Sequence, residues 1–208
     1  MEIRRFPSDL LASNMYVITE AGHAVVIDPC RNIMPAEGFV TDLILLTHEH
    51  YDHISGVNLW KNRTGAEVLC SEACAENINS ARKNLAHIFQ AFCELQTWIE
   101  LESVPDFDPE YSCAADRTFE NEMTFDWMGH RFRLTELPGH SQGSTGIFLD
   151  EKYFFSGDSL LEGKETELRF PGGSRTLWNS VSLPKLSALP DGVRVYPGHF
   201  AEFIYHRK

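Results

Sequence analysis

No apolar run in this chain approaches the roughly 18 residues that a bilayer-spanning helix needs, so no transmembrane segment is expected. The opening residues, Met1-Glu2-Ile3-Arg4-Arg5-Phe6-Pro7, lack the apolar core of a secretory signal, and the expected location is the cytoplasm. Positive charge is scarce. Lys and Arg number 18 against 30 Asp and Glu, and the net charge of −12 repels a phosphate backbone, which argues against a nucleic-acid partner or a nuclease. The 5 Cys are odd in number and irregularly placed at 30, 70, 74, 93 and 113, which is no disulfide framework and reads as reduced, structural thiols. Repeats, low-complexity tracts and linkers are missing too, so residues 1–208 are read as one domain whose partner is a small-molecule substrate.

Asn14–Thr19 and Ala24–Ile27 are rich in β-formers and flank the hairpin signal Glu20-Ala21-Gly22-His23. Asp28-Pro29 ends the second of them. Leu43–Leu46 reads as a buried strand, Asp52–Lys61 as a helix and Ala66–Cys70 as another strand. From Ser71 to about Leu101 the pattern is helical, because Leu85, Ile88, Phe92, Leu95 and Ile99 recur at three- and four-residue steps. Pro105 and Pro109 then break it. Between Ala75 and Glu120 nine acids face three bases, half of the total net charge, and this insertion is expected to form a helical, acidic cap. Strands return at Met123–Met128, His130–Glu136, Gly146–Leu149 and Lys152–Phe155, followed by a helix over Thr176–Leu189 with Pro184 as a kink, and by a last strand Val193–Tyr196. Two batches of strands, each closed by helix, predict an α+β sandwich: two sheets packed face to face with helices outside.

The chemistry concentrates in Thr47-His48-Glu49-His50-Tyr51-Asp52-His53, where three of the nine His fall within six positions. A strand holds its last residues rigidly while the departing chain is free to turn, so ligands placed there are preorganised. Zinc and similar ions favour imidazole nitrogen with some carboxylate oxygen. The alternative, a solvated turn that is His-rich by accident, does not suit this density. Three further stretches repeat one design of strand, tight Gly-containing turn and ligand-type side chain: Leu137-Pro138-Gly139-His140-Ser141, Phe154-Phe155-Ser156-Gly157-Asp158-Ser159 and Val195-Tyr196-Pro197-Gly198-His199. Together these supply five His and two Asp. One zinc takes three or four ligands, so seven suit two ions that share a carboxylate, and Asp158 is the natural bridge. Two metals about 3.5–4 Å apart can hold a hydroxide between them, and they make a nucleophile available near neutral pH.

With His140, Asp158 and His199 following it in order, the run His48 to His53 resembles the metallo-β-lactamase superfamily, from about Asn14 to His199. The resemblance implies an αβ/βα sandwich with the site at one edge between the sheets. It implies a first metal on His48, His50 and His140, a second on Asp52, His53 and His199, and Asp158 between them. Gly139–Ser144, Ser156–Leu160, Phe170-Pro171-Gly172-Gly173-Ser174, Ser182–Leu186 and Tyr196–His199 are similar to the glyoxalase II-like hydrolases, which implies hydrolysis of a small thioester, ester or lactone by a bridging hydroxide, with Asp52 as a proton carrier for the leaving group. Full-length glyoxalase II carries a C-terminal helical domain with cationic contacts to glutathione. Here the sequence runs only to Lys208, so a hydroxyacylglutathione substrate is not expected.

The implied cofactor is two zinc ions per chain, with iron or manganese also compatible with His/Asp ligands. Glu49 is expected to face outward or to support the ligands from behind, because His50 already occupies the ligand position. Candidate substrate contacts are Arg175, Tyr51 and Cys30. Phe89, Phe92 and Trp98 are read as the buried face of the cap helix. His23, His87, His130 and His206 receive no role. A mononuclear iron persulfide dioxygenase uses the same ligand types, and a binding protein of this fold without catalysis is a third reading that the complete ligand set disfavours.

Overall fold

The computed structural model describes residues 1–34, 38–95 and 106–207. One sheet contains β1 (Glu2–Pro7), β2 (Asn14–Glu20), β3 (His23–Ile27), β4 (Val40–Leu45), β5 (Glu67–Ser71) and β6 (Arg117–Phe119), in that spatial order. The other contains β7 (Glu122–Trp127), β8 (His130–Glu136), β9 (Thr145–Leu149), β10 (Tyr153–Gly157), β11 (Arg194–Pro197) and β12 (Phe203–Ile204), also neighbour to neighbour. Both sheets are mixed. β1, β2 and β3 pair antiparallel and β3 to β6 parallel, while the second sheet is antiparallel except for β10 beside β11.

Strand alternation explains the sandwich. In β3 and β4, Val25, Ile27, Leu43 and Leu45 point toward the second sheet, where they meet Phe132, Leu134, Ile147 and Phe155. Val26, Ile44 and Leu46 point the other way, into a cluster with Ile54, Val57 and Trp60 of the covering helices. Both faces of these strands are therefore buried, and their sequences read as unbroken apolar runs. The second sheet is covered likewise, with Phe148 and Phe154 packed against Leu186 and Leu189. Each such aliphatic side chain, fully buried, contributes about 1.5–3 kcal/mol.

On the first sheet lie α1 (Tyr51–Ile54), α2 (Val57–Thr64) and α3 (Glu72–Ile78). A 3-10 turn at Ala86–Ile88 leads into α4 (Phe89–Leu95). Near the C-terminus, α5 (Arg175–Leu177) and α6 (Leu183–Ser187) are joined by a π-helical turn, Trp178–Ser182. Leu177, Trp178, Ser182 and Leu183 all hold right-handed helical dihedrals, so the backbone runs on from α5 into α6, and the π-helical irregularity falls directly before Pro184, where the ring removes an N–H.

The continuous helix expected from Ser71 breaks after Ile78. Leu85 adopts φ 70°, and the buried Asn84 side chain anchors the break by accepting from the Ala86 N–H at 2.9 Å and donating to the Tyr111 carbonyl at 2.9 Å. Trp98 and Ile99 lie outside the described residues. Within the segment expected as a cap, Ile78 joins the core under the first sheet and β6 pairs with β5, while residues 96–105 lie outside the described residues. The strands β1, β6 and β12 had no clear sequence signal. β1 exposes Glu2, Arg4 and Arg5 as an edge, and the other two are only 3 and 2 residues long. Among the described residues no helix is long and apolar enough to cross a membrane.

Candidate metal centre

Every candidate ligand sits just beyond the end of a strand. His48 and His50 follow β4, Asp52 and His53 lie in α1, His140 follows β8, Asp158 follows β10 and His199 follows β11. Local hydrogen bonds explain how these turns are held. Ser13 and His199 form a β-bridge, Gly198 N–H donates to the Gly157 carbonyl at 2.8 Å, and Thr145 N–H donates to the Thr47 carbonyl at 2.7 Å. The two sheets are thereby laced together where the ligands emerge.

The seven side chains converge on one patch. Donor atoms of His48, His50 and His140 lie within 4.8 Å of one another, as do those of Asp52, His53 and His199. His140 Nε2 is 3.1 Å from His50 Nδ1, and His53 Nε2 is 3.3 Å from His199 Nε2. Asp158 lies between the two trios. Its Oδ2 is 3.5 Å from His140 Nε2 and 3.4 Å from His199 Nε2, and its Oδ1 is 3.6 Å from His53 Nε2. Asp52 Oδ2 is 3.4 Å from both His53 Nε2 and His199 Nε2.

These separations fit a divalent ion. Ligands about 2.0–2.1 Å from a tetrahedral zinc stand about 3.3 Å apart along the tetrahedron's edges. Moreover His48 Nε2, His50 Nε2 and Asp158 Oδ1 are buried with no hydrogen-bond partner, an expense that a bound cation removes at His48 and Asp158. The opposite ring nitrogens are tied down as ligand imidazoles usually are. His140 Nδ1 meets the Glu167 carbonyl at 2.8 Å, His199 Nδ1 the Leu11 carbonyl at 3.2 Å, and His53 Nδ1 the Asp28 carboxylate at 3.1 Å.

Asp28 went unassigned in the sequence, although its neighbour Cys30 attracted attention. It holds φ 51°, unusual for Asp, and its carboxylate accepts from Thr47 N–H at 2.7 Å, from Thr47 Oγ1 at 2.5 Å and from His53. Thr47 Oγ1 in turn contacts His48 Nδ1 at 3.1 Å, so one carboxylate orients two imidazoles. Glu49 is buried. It accepts from Asn77 Nδ2 at 2.9 Å, from Ser141 Oγ at 2.8 Å and from Gly143 N–H, which clamps the His-rich turn to the turn that carries His140.

Electrostatics divides the trios. Burial, reinforced by the facing His140 ring, pushes His50 down to about 3, and burial with the His53 and His50 rings drives His48 well down too. At the other trio burial is outweighed. The Asp158 and Asp52 carboxylates raise His199 well above the ordinary imidazole value, and Asp52 and Asp158 raise His53. Burial alone would lift the Asp158 and Asp52 carboxyls, yet His199 and His53 hold both below the usual carboxylate range.

A pH dependence follows. His48 and His50 already lack protons near neutrality, so zinc displaces few protons from these two. His53 and His199 keep their protons to higher pH, and zinc must displace them. The affinity of the Asp52/His53/His199 trio is expected to rise about tenfold per pH unit for each proton released, until the pH passes the raised imidazole values. Zinc titrations against a competing chelator between roughly pH 6 and pH 8 check this, and two pH-independent affinities would contradict it.

A cavity of about 610 Å³ opens onto the patch, lined in part by His50, Asp52, His140, Asp158 and His199. Tyr51 also lines it, with its ring edge-on to Phe89 at 5.1 Å. Cys30 and Arg175 are not among the lining residues. The Cys30 thiol is buried in the core beside the Phe6 carbonyl, and burial pushes it up to about 12, an inert thiol. Arg175 is exposed at the start of α5, whereas the cations on the cavity wall are Lys164 and Arg169. Phe89 and Phe92, read as cap core, line the cavity as well. All five thiols are free and buried.

Two mixed sheets packed face to face, with a His/Asp cluster at their strand ends able to hold divalent ions, define a metalloprotein of the αβ/βα sandwich class. A family model described as the metallo-beta-lactamase superfamily matches residues 36–199, and the chain belongs to that superfamily. It is similar to the hydroxyacylglutathione hydrolase GloC of Haemophilus influenzae, with 30% identity over 211 residues covering 96% of this chain and 91% of the relative. It is 28% identical over 172 residues to the hydroxyacylglutathione hydrolase of Rhizobium meliloti (strain 1021), which covers 82% of this chain but 53% of that protein, so the chain spans about half the relative's length. Among solved structures it is similar to TTHA1623 in a di-iron-bound form, with a TM-score of 0.70, 26% identity and coverage of 93% of this chain and 90% of that one.

Proposed function

We propose that this protein is a dinuclear metal-dependent hydrolase of a small thioester, ester or lactone. The observation that carries the reading is the position of Asp158, one carboxylate within 3.4 to 3.6 Å of ligand-type nitrogens from both trios. Relatives named as hydroxyacylglutathione hydrolases support the thioester class. Zinc suits the imidazole-rich set, and iron or manganese is also compatible, in line with a di-iron form of a similar protein.

In this reading His48, His50 and His140 would hold one ion and Asp52, His53 and His199 the other, with Asp158 within reach of both groups. Such a pair of ions supplies Lewis acidity and an ionised water at neutral pH. The chain's own groups do the rest. Asp28, Thr47 and Glu49 keep the imidazoles aimed. Asp52 is held ionised and borders the cavity, where it would take the remaining hydroxyl proton of the tetrahedral adduct. It returns that proton to the sulfur or oxygen of the leaving group as the C–S or C–O bond breaks.

Purification without chelator is expected to give about two metal ions per chain. The protein is then expected to hydrolyse members of a thioester and lactone panel while leaving phosphodiesters untouched. One iron per chain with oxygen uptake on a persulfide would replace this reading by the dioxygenase one.

A further inference from the structure

The cavity is much larger than a reacting carbonyl needs, and its walls are unlike one another. On one side Leu85, Ile88, Phe89, Phe92 and Phe170 form an apolar wall. Phe170 joins it to the metal centre: its ring lies edge-on to His50 and to His140 at 5.5 Å each, and to Phe92 at 5.1 Å. Leu85 and Phe89 are buried, while Ile88, Phe92 and Phe170 are half-buried, with the cavity on their open side. Such a surface offers water no partners, so it gains from contact with hydrocarbon.

The lining also carries charged side chains. Arg169 donates to both Glu167 oxygens, at 2.9 and 2.6 Å, and Lys164 lies over the Phe200 ring at 4.7 Å. Glu165 and Glu167 offset the charges of Lys164 and Arg169 on this part of the lining, so it presents no net positive charge to a peptide carboxylate.

We propose that the substrate carries a hydrocarbon chain or ring next to its scissile carboxyl group, seated on the Leu85–Phe92–Phe170 wall, rather than a charged peptide such as glutathione. This names the substrate class of the hydrolase reading and rests on it. Two ring-to-ring steps, 5.5 and 5.1 Å, carry the wall from His50 to Phe92, so it receives at most an extended chain of about eight carbons.

The test uses the zinc-loaded protein and two matched thioester series, one lengthening the acyl chain from acetyl to decanoyl on a fixed thiol, the other lengthening an alkyl thiol on a fixed acetyl group. In one of them kcat/KM is expected to climb about two- to fourfold per methylene and to level off near eight carbons. The series that climbs identifies which side of the carboxyl group the wall receives. Calorimetry provides the second readout: straight-chain carboxylates from acetate to decanoate bind with Kd falling by a similar factor per methylene. Phe92→Ser and, independently, Ile88→Ser flatten the slopes, while circular dichroism reports whether each variant is folded.

Flat slopes in the wild-type protein, or a glutathione thioester turned over more than about tenfold faster than the alkyl thioester of the same acyl group, overturn the proposal. If no thioester, ester or lactone is cleaved, the hydrolase reading fails by itself, and the carboxylate series alone decides whether the wall binds hydrocarbon.

Discussion

Asp158→Ala protein is expected to retain no more than about one metal ion per chain and to lose at least about a thousandfold in kcat, the several kcal/mol that a metal Lewis acid contributes. The reason is geometric. Asp158 is the group within reach of His140 on one side and of His53 and His199 on the other. Its removal takes away one of the two carboxylates near the Nε2 atoms of His53 and His199, with less negative charge to offset two imidazoles and a cation. The fold should survive, because the side chain contributes no apolar packing and the β10–β11 pairing lies before it. Metal analysis by mass spectrometry, circular dichroism and steady-state rates on the best panel substrate decide the matter. Two ions per chain with undiminished turnover would remove the shared carboxylate from the argument.

Gly198→Ala probes the same carboxylate from the backbone. A Cβ at position 198 would fall on Asp158 Oδ1 and lie 2.9 Å from both the Gly157 carbonyl carbon and His53 Cε1. Withdrawal is blocked, since Gly198 N–H is bonded to the Gly157 carbonyl at 2.8 Å and its own carbonyl accepts from Asn14 N–H at 2.7 Å. The carboxylate must therefore move. A displacement near 1 Å costs about a hundredfold in rate, and overpacking of this kind costs about 1–3 kcal/mol of stability. Thermal melts with and without zinc, together with kcat, measure both. Unchanged activity would mean that Asp158 need not stand where it does.

The ligand set was legible because each member is announced locally. His48, His50, Asp52 and His53 crowd one turn after an apolar strand, and Gly139, Gly157 and Gly198 each precede a ligand-type residue. The strands around them were legible for the same reason, a two-residue alternation or an unbroken apolar run. Asp28 was not, since its importance lies in a φ of 51° and in contacts with Thr47 and His53, far along the chain. Cys30 drew notice two residues away, but its side chain points into the core. Arg175 was chosen for its nearness to a glycine turn, while the chain path places Arg169 at the cavity instead. Phe92 has the spacing of a core residue and packs against the cluster of Leu10, Tyr51 and Phe89, while its other contacts, with Phe170 and the cavity, are tertiary.

The sequence by itself determined the class of the protein: a two-sheet sandwich, seven ligand-type side chains at strand ends, and membership of a metal-binding superfamily. These follow from short-range rules, in which periodicity assigns strands and residue chemistry assigns ligands. Tertiary structure alone decided the distances at which these imidazoles and Asp158 stand, that Asp28 braces them, that Glu49 turns inward rather than outward, and that an apolar wall borders the site. Those are distances between residues far apart in sequence, as are His199 Nδ1 and the Leu11 carbonyl at a separation of 188, and no local pattern encodes them.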